Sequence, residues 1–135
     1  MCLAVRYKDG GLPKPIRAKK DIHVIKGLEN RFGIMCSPFR GADYPINQLV
    51  TTERLGISHS HEEHNGDEAK VSQGLHSFGS LTAFKSCVNK MFASRMIPCH
   101  AIIPKGALYL KGNFEGTQNC YVSTELLVTG PVKDY

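Results

Sequence analysis

The sequence lacks the features that mark membrane, secreted and zinc-knuckle proteins. No apolar run among its 135 residues approaches the roughly 18 that a membrane-spanning helix needs. The opening residues Met1 to Val5 are followed at once by charged side chains, which argues against a secretory signal. The five cysteines are odd in number and include no C-x-x-C pair, so they fit neither a disulfide framework nor a zinc knuckle. We therefore expect a soluble cytoplasmic protein with reduced thiols and no membrane partner.

Acidic residues are scarce near the start of the chain. Only Asp9 is acidic among residues 1–20, which also hold the basic side chains Arg6, Lys8, Lys14, Arg17, Lys19 and Lys20. Together with the net charge of +5, this segment favours an anionic partner. It can be a solvated basic arm, or it can contact phosphate or nucleic acid.

The composition predicts one folded domain. Apolar residues make up 41% of the chain and charged residues 21%, which is typical of globular proteins and not of disordered ones. The length also fits a single domain, since domains of about 100–150 residues are the most common. We expect this domain to span residues 1–135, with a basic strand and loop at 1–20, an exposed polar His-rich hairpin or loop at 54–70 and a tail at 130–135.

The hydrophobic periodicity predicts an α+β fold, with an antiparallel or split β-sheet of about 5–7 strands and one amphipathic helix. Ser80 is a good N-cap, and Leu81, Phe84 and Val88 begin a single apolar stripe, which predicts a helix over residues 80–95. Residues 28–44 are expected to be irregular. The predicted strands are Cys2–Tyr7, Asp21–Lys26, Ile46–Thr52, Val71–Phe78, Cys99–Ile103, Ala107–Lys111 and Tyr121–Thr129, with Cys99–Ile103 and Ala107–Lys111 forming a hairpin. Free strand edges favour a homo-oligomer.

Three histidines form the sharpest local pattern. His59, His61 and His64 lie within one seven-residue segment, and imidazoles at these spacings can surround one divalent ion. One hypothesis is therefore a zinc site that serves a metal-dependent hydrolase. The alternative is a solvated polar loop.

A second cluster surrounds the predicted start of the helix. A helix N-terminus offers unpaired backbone N–H groups and the positive end of the helix dipole. With His76, Ser77 and Lys105 nearby, this point is suited to receive a phosphate, and Phe78 or Tyr109 is suited to stack on a base. The alternative is a structural turn with a core histidine.

Short strings spread over most of the chain, apart from residues 49–70, form a recognisable set. They are Met1-Cys2-Leu3, Asp21 to Lys26, Gly74-Leu75-His76-Ser77-Phe78, Cys99 to Gly106, Tyr109 and Tyr121-Val122-Ser123. In these strings the chain resembles a group of small, mostly uncharacterised proteins of bacteria and their phages. The resemblance leaves the histidine cluster in a segment that looks like an insertion.

The same order of elements is distantly similar to the ADP-ribosyltransferase fold. This resemblance implies a catalytic acid at Glu125 in the last strand, with His23 or Lys26 positioning the ribose or phosphate of NAD. His76 falls where an aromatic residue usually stacks on the nicotinamide.

The hypothesis drawn from these patterns is a small phage or bacterial accessory protein that binds an anionic, nucleotide-like molecule without catalysis. It would sequester an immune signal derived from NAD or a cyclic nucleotide, as an anti-defence protein of the host cytoplasm. An NAD-dependent ADP-ribosyltransferase using Glu125 and His23 is the first alternative, and a hydrolase with zinc at the three histidines is the second. The expected ligand-binding residues are Lys26, His76, Ser77, Phe78, Lys105, Tyr109 and Ser123.

Overall fold

The structure, a computed structural model, describes residues 3–6, 14–31, 33–36, 43–59, 68–91, 96–114 and 117–133. Within these ranges it contains twelve strands and one helix. They are β1 (Leu3–Arg6), β2 (Ile16–Arg17), β3 (Ile22–Arg31), β4 (Ile34–Cys36), β5 (Leu49–Thr51), β6 (Gly56–His59), β7 (Glu68–Gln73), β8 (Leu75–Phe78), α1 (Leu81–Met91), β9 (Ile97–Ile103), β10 (Leu108–Phe114), β11 (Thr117–Ser123) and β12 (Glu125–Pro131). The predicted α+β class is confirmed, but the predicted number of strands was too small.

The strands form an antiparallel sheet in the order β5-β12-β9-β3-β8-β11-β10-β1-β7-β6. The short strand β2 pairs with β10, and β4 pairs with β3. Only Thr124 separates the end of β11 from the start of β12 along the chain, although β8, β3 and β9 lie between these two strands in the sheet. The five strands from β12 to β11 must therefore curl strongly, and the sheet has an inner and an outer face.

Apolar residues cover both faces of the curled sheet, because a strand turns successive side chains to opposite sides. On β3, Val24 and Leu28 belong to an inner core that they share with residues of β8, β9 and β12. Ile25, one position away, belongs to an outer core with Phe78 and Phe84. Lys26 has the same parity as Val24, so the alternation directs its side chain towards the inner core.

The helix α1 covers the outer core, and its start agrees with the sequence prediction. The N–H of Ala83 donates to Ser80 Oγ at 3.1 Å, which is the capping bond expected of an N-cap serine. Phe84 is fully buried and meets Phe78 edge to face, with ring centroids 5.7 Å apart. The described part of the helix ends at Met91, and the predicted continuation over residues 92–95 lies outside the described residues. None of the described segments forms a helix with the length and apolar character that crossing a bilayer requires.

The predicted hairpin between Cys99–Ile103 and Ala107–Lys111 was wrong. Strand β9 pairs with β3 and β12, whereas β10 pairs with β11, β1 and β2. The turn between them is instead fixed by the segment before β3. Gly106 N–H donates to the Ala18 carbonyl at 2.9 Å, and Ala18 N–H donates to the Ala107 carbonyl at 2.8 Å. The number of paired residues explains why β9 pairs with β3 and not with β10, because β3 offers β9 seven paired positions from Ile22 to Leu28.

The prediction that residues 28–44 are irregular was also partly wrong. Strand β3 continues to Arg31 and forms a hairpin with β4, in which Arg31 pairs with Ile34. Gly33 adopts a φ of 86°, which glycine reaches without strain, and its N–H donates to Asn30 Oδ1 at 2.9 Å. Gly33 therefore turns the chain between two strands, within a segment that was predicted to be irregular.

Three further boundaries differ from the expectations. Gly74, with a φ of 148°, separates β7 from β8 within the predicted strand Val71–Phe78. Strand β12 includes Pro131, and Val132 N–H donates to the Pro98 carbonyl at 2.9 Å, so the predicted tail from residue 130 begins with ordered structure. Within the expected loop at 54–70, β6 pairs with β7, which fits the hairpin alternative.

Candidate functional site

A cavity of about 610 Å³ opens between β3, β5, β8 and the segment around Tyr44. This volume falls within the roughly 300–1,000 Å³ of small-molecule sites. Its lining is mostly apolar, with contributions from Leu75, Phe78 and Met96. The polar side chains of the lining are Lys26, Tyr44, Thr51, Thr52, Gln73, His76, Ser77 and Tyr121.

Lys26 is the charged residue of this cavity. Its side chain is only 6% exposed, and Nζ donates to the His76 carbonyl at 2.5 Å. Nζ also lies 4.8 Å from the centroid of the Tyr44 ring, in a cation–π contact. An ammonium has three N–H donors, and among the residues that the structure describes only the His76 carbonyl accepts from one. The cation thus keeps donors for a further acceptor.

Burial changes the protonation of Lys26. Removal from water disfavours the charged form and lowers the pKa of this amine from its ordinary 10.5 to about 8. The amine therefore still carries its proton in most molecules at neutral pH. No carboxylate is paired with it in the described part of the chain. A buried cation that lacks an anionic neighbour is costly for the fold, and such groups concentrate at functional sites.

Ser77 adds a second incompletely bonded polar group. It is 3% exposed and lines the cavity, yet its Oγ has no hydrogen-bond partner among the residues that the structure describes. Leaving a buried hydroxyl without a partner costs about 1–3 kcal/mol. Ser123 is equally buried but its Oγ donates to the Glu125 carbonyl at 2.9 Å. The Ser77 hydroxyl is therefore available to a guest, and the Ser123 hydroxyl is already used by the backbone.

Two tyrosines supply aromatic surface beside these groups. Burial raises the pKa of Tyr44 to about 12, so its hydroxyl stays neutral and can donate a hydrogen bond. Tyr121 pairs with Ser77 across β11 and β8, which places both side chains on the same face. Lys111 Nζ lies 5.5 Å from the centroid of the Tyr121 ring, so a second cation stands next to a lining residue.

The structure brings four of the predicted ligand-binding residues together. Lys26, His76, Ser77 and Phe78 all line the cavity. They come from β3 and β8, neighbouring strands joined through the pairing of Ile25 with Phe78. Their association depends on this pairing between distant segments.

The other predicted ligand-binding residues lie outside the lining. Lys105 is exposed in the turn before β10, where its backbone N–H donates to Asp21 Oδ1 at 2.8 Å. Tyr109 contacts Tyr121, with ring centroids 5.9 Å apart, but does not itself line the cavity. Ser123 likewise does not contribute to the lining.

The start of α1 is packed against a strand. Gly79 N–H donates to the Asn119 carbonyl at 2.8 Å, and a Cβ added to Gly79 would collide with the Asn119 side chain. Ser80, the N-cap, and Leu81, the first residue of α1, do not line the cavity. The cavity is therefore lined by Lys26 and Ser77, and it does not include the start of the helix or the turn at Pro104, where an anion site was expected.

His23 and Glu125 lie on the outer face of the sheet. His23 pairs with Ile102, which pairs with Leu127, two residues from Glu125. Standard strand dimensions then put the Cα atoms of His23 and Glu125 about 12 Å apart. Lys26 has the opposite parity to His23 on β3. A site that used His23 and Glu125 would therefore be separate from the cavity.

The predicted zinc site falls largely outside the described residues. His61 and His64 belong to residues 60–67, and of His59 only the backbone is described. Among the described side chains, no three His, Cys, Asp or Glu residues converge as metal ligands. The zinc hypothesis stays a prediction from the sequence.

Sequence reasoning missed Tyr44, Tyr121 and Lys111 as site residues. Tyr121 pairs with Ser77 and Lys111 pairs with Tyr121, so the three side chains lie on the same face of the sheet. The alternation of side chains along β10 and β11 was therefore a usable signal for Tyr121 and Lys111. Tyr44 has no such signal, since it precedes a proline in a segment without periodicity. No protein-family model, curated protein or solved structure matches this chain. The candidate site therefore rests on the geometry of the cavity alone.

Proposed function

We propose that this protein binds a small anionic, nucleotide-like molecule in the cavity around Lys26. The observation that carries the proposal is the ammonium group of Lys26, which is buried, has no carboxylate partner among the described residues and keeps unused donors. A ligand phosphate or carboxylate would supply the missing acceptor. Hydrogen bonds to charged groups contribute about 1.5–3 kcal/mol, so this one contact can decide whether an anion binds.

The other lining residues favour a ligand with a flat, partly polar body. The rings of Tyr44 and Tyr121 can contact the face of a base, and the Ser77 hydroxyl can bond to a ribose or phosphate oxygen. A mostly apolar lining with a few polar groups is the usual character of a small-molecule site. These features support nucleotides over simple inorganic anions.

The proposed role is sequestration rather than turnover. Lys26 and Ser77 are held inside the curled sheet, where a bound molecule would lose most of its contact with solvent. In the setting that the sequence resemblance implies, a bacterial or phage accessory protein, the sequestered molecule would be an immune signal derived from NAD or a cyclic nucleotide. Such a protein needs affinity and no catalytic group.

Titration calorimetry with adenosine 5′-monophosphate, NAD and uncharged adenosine tests the proposal. Lys26→Met should weaken binding of the monophosphate by about tenfold or more, because a charged hydrogen bond is lost. The same change should affect adenosine much less. Lys105→Met is the matched control, since this exposed lysine lies outside the cavity, and it should leave all affinities unchanged.

The opposite pattern would overturn the proposal. If Lys105→Met weakens binding of the monophosphate and Lys26→Met does not, the anion binds at the turn before β10. Consumption of NAD by the wild-type protein that disappears in Glu125→Gln would replace sequestration by the transferase alternative.

A further inference from the structure

The position of Lys26 in the cavity would also allow a covalent bond to a ligand, which is stronger than an electrostatic contact. We propose that Lys26 condenses reversibly with the carbonyl carbon of an anionic aldehyde or ketone, so that the cavity captures its ligand as an imine. This inference rests on the proposed function for the location and the charge of the ligand. It adds a covalent step and a chemical class, a molecule that carries both an anionic group and a free carbonyl.

Among the described residues, the Lys26 amine makes one hydrogen bond and one cation–π contact. One donor bonds to the His76 carbonyl at 2.5 Å, and the Tyr44 ring lies 4.8 Å from Nζ. A structural lysine in a core is normally held by a carboxylate, which would keep it protonated. Within the described residues Lys26 has none. Lys26 also lines a cavity that is large enough to admit an electrophile.

Burial also makes the nucleophilic form available. With a pKa of about 8, roughly a quarter of the amine is neutral at pH 7.5, compared with about 0.1% for an ordinary lysine. Desolvation in an apolar pocket is a known way to activate a lysine amine for attack on a carbonyl. Cys120 also lines the cavity, but burial raises the pKa of its thiol to about 12 and keeps it protonated. Lys26 is therefore the stronger nucleophile of the two.

The condensation needs no other reagent. The lone pair of Nζ forms a bond to the carbonyl carbon, and one proton moves from nitrogen to oxygen, which gives a carbinolamine. The oxygen then leaves as water with the second amine proton, and the C=N bond forms. No electrons are gained or lost. The Ser77 hydroxyl lines the same cavity and has no partner in the described part of the chain, so it can hydrogen-bond to the carbinolamine oxygen.

The charges of the cavity suit such a ligand. The imine nitrogen can then take up a proton from solvent, which restores a positive charge inside the cavity. Lys111, whose Nζ lies 5.5 Å from the ring centroid of the lining residue Tyr121, is a second cation that can attract the anionic group. A nucleotide that ends in a ribose with a free anomeric centre would meet both requirements, because the open-chain form of that ribose is an aldehyde.

Pyridoxal 5′-phosphate is a suitable probe, since it combines an aldehyde with a phosphate. The full-length protein is incubated with the probe at pH 7.5, reduced with sodium borohydride and digested, and the modified lysine is located by peptide mass spectrometry. We expect labelling of Lys26 to exceed that of Lys111 by about tenfold or more, because Lys26 is desolvated within the cavity and Lys111 is exposed. Pyridoxine 5′-phosphate, which has an alcohol in place of the aldehyde, should label nothing.

Two variants sharpen the result. Lys26→Arg keeps the positive charge without a nucleophilic amine and should lose the label, whereas Lys111→Arg should keep it. Should Lys26→Arg not fold, the site mapped in the wild-type protein decides alone. Labelling spread evenly over exposed lysines, with Lys26 unmodified, would overturn the imine. If adenosine monophosphate still binds in that case, the proposed function survives. If Lys26 is labelled but the monophosphate does not bind, the imine stands and the nucleotide preference falls.

Discussion

Two regions of this molecule present positive charge, and they differ in how completely their polar groups are bonded. At the turn of residues 104–107, the backbone is fixed by neighbours: Lys105 N–H donates to Asp21 Oδ1 at 2.8 Å, and the Gly106 carbonyl accepts from Arg17 Nη1 at 2.7 Å. At the cavity, Lys26 and Ser77 are buried, yet they retain bonding capacity that no described residue uses.

The difference separates a structural element from a candidate site. The turn holds β10 against the segment before β3, and its lysine side chain stays in water at little energetic cost. The cavity keeps a desolvated cation and an unpartnered hydroxyl, which both destabilise the folded state. Unfavourable features of this kind persist where function requires them. Substitutions in the two regions should therefore have effects of different sign and size.

The largest expected difference concerns Lys26→Met. The folded-state pKa of Lys26, about 8, lies below its ordinary 10.5, so below pH 8 the folded protein carries the full cost of the buried charge. Lost contacts to the His76 carbonyl and Tyr44 offset part of the gain, and we expect the free energy of unfolding to rise by about 1–3 kcal/mol at pH 7. The gain should shrink between pH 8 and 10.5, where the folded state releases its proton while the unfolded chain still holds one.

Urea unfolding of wild type and Lys26→Met at pH 7 and pH 10 measures this effect. Other titrating groups are common to both proteins, so the comparison isolates Lys26. Lys105→Met should change stability little at either pH, because that side chain is exposed. A Lys26→Met protein that is clearly less stable at pH 7 would show that the lysine is a structural group of the core.

The next prediction compares two buried serines. Ser77→Ala removes a hydroxyl without a partner and should raise the free energy of unfolding by about 1 kcal/mol. Ser123→Ala removes the donor to the Glu125 carbonyl and should lower it by about 1 kcal/mol. Thermal unfolding of both variants measures whether the free energy of unfolding rises or falls in each. Equal losses in both would mean that Ser77 Oγ has a partner in solution, such as a trapped water.

The sequence predicted local elements better than it predicted partners. The start of the helix at Ser80 and most of the strands follow from capping and from periodicity, which are properties of short segments. The pairing of β9 with β3 and β12 involves residues far apart in the chain, and nothing in the turn between β9 and β10 reveals it. Strand number was underestimated because Gly33 and Thr124 allow the chain to turn and pair again within a few residues.

The candidate site also combines a feature that the local sequence predicts with one that depends on pairing between distant segments. Alternation along Asp21–Lys26 places Lys26 on the face of Val24, so its burial was accessible from the sequence once Val24 was taken as buried. The pairing of β8 with β3, which brings Ser77 close to Lys26, could not be predicted from the sequence. Lys105 was predicted as a ligand-binding residue because it was expected to lie near the start of the helix, and it is flanked by Pro104 and Gly106. Those residues instead shape a turn whose backbone bonds to Asp21 and Ala18.

The smallest expected effect comes from Asp21→Ala. This change removes the acceptor for the Lys105 N–H, an exposed hydrogen bond that should contribute about 0.5–1 kcal/mol to stability. Affinity for adenosine monophosphate should stay at the wild-type level, because Asp21 and Lys105 lie outside the cavity lining. The loss in stability is measured by urea unfolding and the affinity by calorimetry on the same protein. Tighter binding would place the anion at the turn, because removal of the Asp21 carboxylate relieves repulsion of an anion there and frees the Lys105 N–H.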